Sequence, residues 1–302
     1  MTHNVQQGGM PITGSLPAQP VRILVTGATG RIGSRFVPRL LQRGEVVRVL
    51  VRQAERAESL RQRGAEVMVG DLLQADTLAQ AVAGIDVVVH LAAFFRGATD
   101  EEALAVNESG TLALAQAAVL AGVSRFVFAS TNLVYGPGRG RPAREEDIPQ
   151  PPAGRAYPLS KAAAEQALRD LHRTQGLGLR ILRLAFVYGE GDPHLTEVVQ
   201  WVSDWNPAQR LHMVHHADVA QALLRVIKTP GIDGRIYNVA DDAPVTAAEI
   251  LQLLHLPFSE GAAVPPLHDP WEGIVDTTRV REELGFRPIY PSLYTALEAG
   301  TL

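Results

Sequence analysis

The chain has 302 residues, 46% of them hydrophobic and 20% charged, with a net charge of −4. An acidic balance without any Lys/Arg run excludes an electrostatic nucleic-acid footprint, and the lack of cysteine excludes thiol catalysis, disulfides and zinc–thiolate sites. No apolar segment approaches the roughly 20 residues a bilayer crossing needs, so neither nucleic acid nor membrane is expected as a partner, and a cytoplasmic location is expected.

Residues 1–20, rich in Gly, Pro, Gln and Thr, read as a disordered leader; they lack the charged and apolar regions of a signal peptide. From 21 the chain alternates. Strands are expected at 21–25, 46–51, 66–69, 86–90, 125–130 and 179–184. Between them fall helices at 31–43, 54–63, 75–82, 101–121 and 157–174. Near-continuous apolar strands separated by helices predict an α/β fold, a doubly wound parallel Rossmann sheet covered on both faces. A helix at 218–227 and a strand at 235–239 read as late additions to that sheet. The expected division is a dinucleotide domain over 21–189 that also takes up 213–241. A small interleaved substrate lobe is expected from 190–212 and 242–302.

The first strand runs into Thr26-Gly27-Ala28-Thr29-Gly30-Arg31-Ile32-Gly33. In a strand–turn–helix setting, Gly27 permits a tight turn, Gly30 lets backbone amides approach a pyrophosphate, and Gly33 allows close helix–strand packing. The end of the second strand carries Arg52 where an acidic residue would select NAD. Arg52 and Arg31 together favour the 2′-phosphate of NADP, with NAD the alternative. Asp71, after the third strand, reads equally well as an acceptor for the adenine amino group or as a turn aspartate. The small residues of His90-Leu91-Ala92-Ala93 would let a dinucleotide pass close to the backbone.

Lysine occurs only at 161 and 228 in a chain that otherwise uses arginine. Tyr157 and Lys161 lie four apart, one turn from each other on a helix. An ammonium there is expected to lower the phenol pKa and make a proton-transfer pair.

These motifs, in this order, resemble the extended short-chain dehydrogenase/reductases of the NAD-dependent epimerase/dehydratase group. Further matching pieces are Gly70-Asp71-Leu72, 106–111, 130–136, Tyr157-Pro158-Leu159-Ser160-Lys161, 182–189, 214–220, 237–240 and 283–288, so the resemblance covers most of the chain from 21. It implies that Tyr157 is the acid/base, that Lys161 binds the nicotinamide ribose and tunes Tyr157, and that Thr131 hydrogen-bonds the reacting oxygen. It implies that Asn107 supports the active-site helix or a water relay. It places the cofactor on Gly27, Thr29, Gly30, Arg31, Ile32 and Gly33, then on Arg52, Asp71 and Leu72, and on Leu91, Ala92 and Ala93. The implied function is an oxidoreductase acting on a secondary alcohol or ketone of a small molecule. The alternatives are a sugar or nucleotide-sugar epimerase with retained NAD, and a non-catalytic dinucleotide-binding regulator.

Asn132 and Leu133 follow Thr131 where 4,6-dehydratases of the group carry an Asp-Glu pair, which argues against dehydration. Arg210, Arg279 and Arg281 are available to grip a diphosphate, though none sits in a matching motif. Trp201 and Trp205 read as a pocket wall or a buried helix face, and Trp271 as a cap on the site. His212, His215 and His216 fit the family pattern better than a metal site. Related enzymes often form homodimers through the two long central helices. The stripe of Leu112, Ala115 and Val119 is compatible with that or with a core helix.

Overall fold

The computed structural model describes residues 21–95, 99–257 and 264–302, so the expected leader at 1–20 lies outside them. The first half alternates as its hydrophobic pattern requires: β1 (Arg22–Thr26), α1 (Gly33–Gln42), β2 (Val46–Val51), α2 (Glu58–Gln62), β3 (Glu66–Val69), α3 (Ala75–Val82) and β4 (Val87–His90). There follow α4 (Asp100–Leu104), α5 (Thr111–Leu120), β5 (Arg125–Thr131), α6 (Ala156–Gln175) and β6 (Leu179–Leu184). The later elements are β7 (Phe186–Tyr188), α7 (His194–Glu197), α8 (Val199–Val202), β8 (Arg210–Leu211), β9 (Met213–His215), α9 (His216–Lys228) and β10 (Arg235–Val239). The chain ends with β11 (Val245–Thr246), α10 (Ala247–Leu253), α11 (Thr278–Leu284) and α12 (Leu293–Glu298).

Seven strands form one sheet in the order β10-β6-β5-β4-β1-β2-β3, every neighbouring pair parallel. Strand order reverses between β1 and β4, and the crevice at such a switch point is where doubly wound folds bind ligands. Successive side chains alternate faces. Ile23 and Val25 enter the core beneath α1 and α9, and Leu24 enters the core beneath α3, α5 and α6. β7 pairs with β9 and β8 with β11 outside the main sheet. A third apolar cluster there joins Val198, Val202, Ile250 and Leu293.

Two differences from the sequence reading have local causes. The helix expected over 101–121 is interrupted by a π-helical turn at Ala105–Gly110. There the Thr111 hydroxyl donates to the Asn107 carbonyl at 2.7 Å, and a Cβ on Gly110 would come within 3.1 Å of the Leu72 side chain. By length and composition alone Glu101–Leu120 is apolar enough to cross a bilayer, contrary to expectation; here Leu114, Ala115 and Ala118 on α5 are fully buried against the sheet. The second difference concerns the tail. Val275, Val280, Leu284 and Phe286, assigned from sequence to the lobe, pack into the main core with α9 and β10 residues. The chain returns to the sheet before ending.

Candidate active site

The turn after β1 is shaped by contacts that only glycine permits. Gly27 has φ +69°, and a Cβ on it would lie 2.5 Å from the Ala92 nitrogen; a Cβ on Gly33 would lie 2.2 Å from the Gly27 carbonyl oxygen. α1 can therefore begin directly against the turn, which itself sits against the loop after β4. The Gly30 amide donates to the Gly27 carbonyl at 3.0 Å. The amides of Arg31 and Ile32 have no protein acceptor among the described residues, and they stand at the positive end of the α1 dipole. That is a fitting seat for a pyrophosphate.

A single cleft of about 690 Å³ runs from this turn, along the ends of β4, β5 and β6, to the outer lobe. Gly27, Gly30, Arg31, Ile32, Gly33, Leu91, Ala93, Thr131, Tyr157 and Lys161 all line it. Thr131, the last residue of β5, accepts the Leu133 amide at 3.2 Å on Oγ1, which leaves its hydroxyl hydrogen for the cleft. α6 begins just before Tyr157, so the phenol and Lys161 face the cleft from its first two turns.

Burial decides the protonation of both. It pushes the Tyr157 phenol up to about 12. It lowers the Lys161 ammonium to about 7, with Glu165 pulling it back upward. The sequence expectation of a lowered tyrosine pKa is therefore reversed. Desolvation of the phenolate dominates, and the neighbouring ammonium that should counter it is itself suppressed. Lys161 is 1% exposed. Its Nζ lies 4.0 Å from the Phe128 ring centre, and the described residues offer it no hydrogen-bond acceptor. An ammonium buried at a cleft wall without an acceptor fits the hydroxyls of a ribose.

Asn107 sits at the π-helical turn and is fully buried. It accepts the Phe94 amide at 2.7 Å and donates to the Phe94 carbonyl at 2.9 Å and to Ser160 Oγ at 3.0 Å. It thus ties the loop after β4 to the helix that carries Tyr157. Sequence reasoning missed the strut behind it. Because the Thr111 hydroxyl donates to Asn107, it accepts from His90 Nε2 at 2.8 Å, which leaves His90 Nδ1 to accept from Thr26 at 2.6 Å. Burial and the nearby Lys161 hold His90 down at about 3, so it stays neutral in this role.

The two arginines assigned to the 2′-phosphate part ways. Arg52 is exposed at the end of β2, its guanidinium 5.3 Å from the Phe94 ring centre. Arg31 instead bonds Asp192 at 2.9 Å and Glu197 at 2.8 Å. Two carboxylates from the opposite wall pair with it, a partnership the sequence reading did not foresee. Asp192, nearly buried, also accepts from His216 Nε2 at 2.8 Å. Burial alone would raise its pKa, but His216, the His194 amide and Arg31 outweigh that and hold it at about 2. Asp71 accepts the Leu73 amide at 2.9 Å, the turn role of its two readings. Asp71, Leu72, Thr29 and Ala92 lie outside the cleft lining, Leu72 as a core residue.

Of the lobe residues singled out, Arg210, Trp205 and His212 line the cleft, while Trp201, Trp271, Arg279 and Arg281 do not; His194 lines it as well. Trp271 stacks on Arg210 at 4.7 Å rather than capping the site. Arg279 is paired to Glu146 and Arg281 to Asp242. The cleft residues that sequence reasoning missed include Phe95, two positions past the motif at 90–93, and Phe186, inside the matching stretch 182–189.

A glycine turn at a sheet switch point, joined by one cleft to a Tyr/Lys pair on one helix, defines an α/β enzyme dependent on a nicotinamide dinucleotide. The chain belongs to the NAD dependent epimerase/dehydratase family, whose model matches residues 23–240. It is 31% identical, over 86% of its length and 83% of the relative's, to a 4-hydroxy-2-methyl-3-oxo-4-farnesyl-3,4-dihydroquinoline-1-oxide ketoreductase of Stigmatella aurantiaca. Among solved structures it resembles the dTDP-glucose 4,6-dehydratase DesIV of Streptomyces venezuelae, which has NAD bound. Identity there is 28% and TM-score 0.78, covering 92% of this chain and 95% of that one. The UDP-glucose 4-epimerase of Thermotoga maritima is 26% identical with a TM-score of 0.76, covering 92% and 96%.

Proposed function

We propose that this enzyme interconverts a ketone and a secondary alcohol of a small molecule, with Tyr157 as the proton donor and acceptor and NADP as the preferred dinucleotide. The carrying observation is the half-buried Tyr157 and the buried Lys161 on the same cleft as the glycine turn and Thr131. When bound, the nicotinamide supplies or takes the hydride. The chain's own residues handle the proton. A phenol held near 12 carries its proton at neutral pH, the form that ketone reduction requires. Thr131 Oγ1 can donate to the same carbonyl oxygen, fixing it beside Tyr157. As Tyr157 passes its proton to the carbonyl oxygen, the ammonium form of Lys161 stabilises the phenolate left behind.

The preference for NADP rests on Arg52, which stands exposed where an acid would favour NAD. The likeness to a ketoreductase over most of both chains supports the reduction reading, and the absence of an acid directly after Thr131 opposes dehydration. The test is cofactor consumption with a panel of ketones. Tyr157→Phe should lower turnover about 10²- to 10⁴-fold and leave NADPH binding intact. Near wild-type turnover in that variant would remove Tyr157 from its role. Cofactor that stays bound through purification, with no net consumption, would favour the epimerase instead.

A further inference from the structure

We infer that the substrate carries its carbonyl on a flat, apolar ring system and has no nucleotide diphosphate. The inference deepens the oxidoreductase reading and rests on it. The Tyr157 ring meets Phe95 edge-on at 4.7 Å, and Phe95 meets His194 edge-on at 5.8 Å. His194 lies flat on Phe186, centroids 4.0 Å apart and planes 21° from parallel, with Nδ1 held 2.9 Å from the Val187 carbonyl. This ring group starts at the reacting phenol. Trp205 and the Pro265-Pro266 pair line the same cleft from the lobe. Aromatic faces and proline rings recognise flat apolar surface and offer little to a hydroxyl-rich sugar.

Charge leads to the same conclusion. A diphosphate needs cations that are not already committed. Among the described arginines on this cleft, Arg31 is bound by Asp192 and Glu197. Arg210 gives two N–H groups to the Pro270 carbonyl, at 3.2 and 2.7 Å, and stacks on Trp271. Arg155 is left, exposed at the start of α6. Asp204 and Glu272 line the cleft as well and would repel a diphosphate.

The experiment uses the full chain as Tyr157→Phe with NADPH bound, so that ligands bind without turning over. Tryptophan quenching and thermal shift are read with tetralone, an open-chain ketone of equal carbon count, UDP-glucose and dTDP-glucose. Tetralone should bind about tenfold more tightly than the open-chain ketone and more tightly than either nucleotide sugar. Trp205→Leu and Phe186→Leu, each checked for retained NADPH binding, should weaken tetralone at least about fivefold more than the open-chain ketone. Should one of these variants fail to fold, the other and the ligand ranking still decide. Tighter binding of a nucleotide sugar, equal binding of the two ketones, or no binding of tetralone overturns the inference. Tetralone that binds wild-type enzyme as expected but is never turned over with either cofactor instead refutes the oxidoreductase reading and leaves the ring site standing.

Discussion

Lys161 shows how far a spacing argument reaches at the scale of one residue. A spacing of four from Tyr157 to Lys161 places both on one helix face, and both do line the cleft. Spacing carries no information on desolvation, which reverses the expected direction of the phenol shift. The lysine also has a consequence for stability. Burial lowers it from the ordinary 10.5 to about 7. Between those values the unfolded chain holds a proton that the folded chain has released, so stability rises with pH across the window and the penalty is complete below it. Each pH unit is worth at most about 1.4 kcal/mol. Lys161→Met removes this titration. Its melting temperature should exceed that of the wild type near neutral pH, with the margin shrinking steadily as pH approaches 10.5. A margin constant across the window in parallel melts would show that the lysine is not held below its ordinary value.

At the scale of elements, α6 is fixed to the sheet by more than apolar contact. Arg183 on β6 forks onto Glu165 on α6, with Nη2 at 2.6 Å from Oε2 and Nε at 3.1 and 3.2 Å from the two oxygens. The Ser130 hydroxyl donates to the same carboxylate, and the guanidinium lies 4.6 Å over Tyr135. Both partners are almost fully buried, at 1% and 3% exposure of their side chains. Removing one partner strands a charge, so Glu165→Leu should cost about 3–5 kcal/mol in urea unfolding. Glu165→Leu with Arg183→Met should recover most of that loss. A double variant no more stable than the single would mean that the pair itself, rather than the stranded charge, carries the energy. The sequence held a faint signal for this contact. Arg183 interrupts a strand whose six residues are all buried, and a cation in such a place needs a partner. The partner lies 18 residues back on an alanine-rich helix, where nothing in the local sequence marks it as buried. The π-helical turn was illegible for a similar reason, since it depends on Leu72 packing against Gly110 from a distant loop. Apolar strands alternating with helices were enough for the parallel sheet, because period and burial are local properties.

At the scale of the whole molecule, Arg31 joins the two walls of the cleft. It leaves the glycine turn and meets Asp192 after β7 and Glu197 on α7, while His216 at the start of α9 secures Asp192 from behind. Sequence reasoning placed Arg31 on a 2′-phosphate because it knew the turn but not the opposite wall. The two assignments differ in what each cofactor should feel. A residue that bridges the walls acts on any dinucleotide, whereas a residue that holds the 2′-phosphate acts only on the cofactor that has one. Arg31→Ala should therefore weaken NADH and NADPH by similar factors. Arg52→Ala should weaken NADPH about tenfold more than NADH, the equivalent of one charge-assisted contact of about 1.4 kcal/mol. Dissociation constants for both cofactors, measured on both variants at one salt concentration because exposed ion pairs are screened, test the assignment. Selective loss of NADPH in Arg31→Ala would return the 2′-phosphate to the glycine turn, and equal losses in Arg52→Ala would leave NADP without a structural basis in this enzyme.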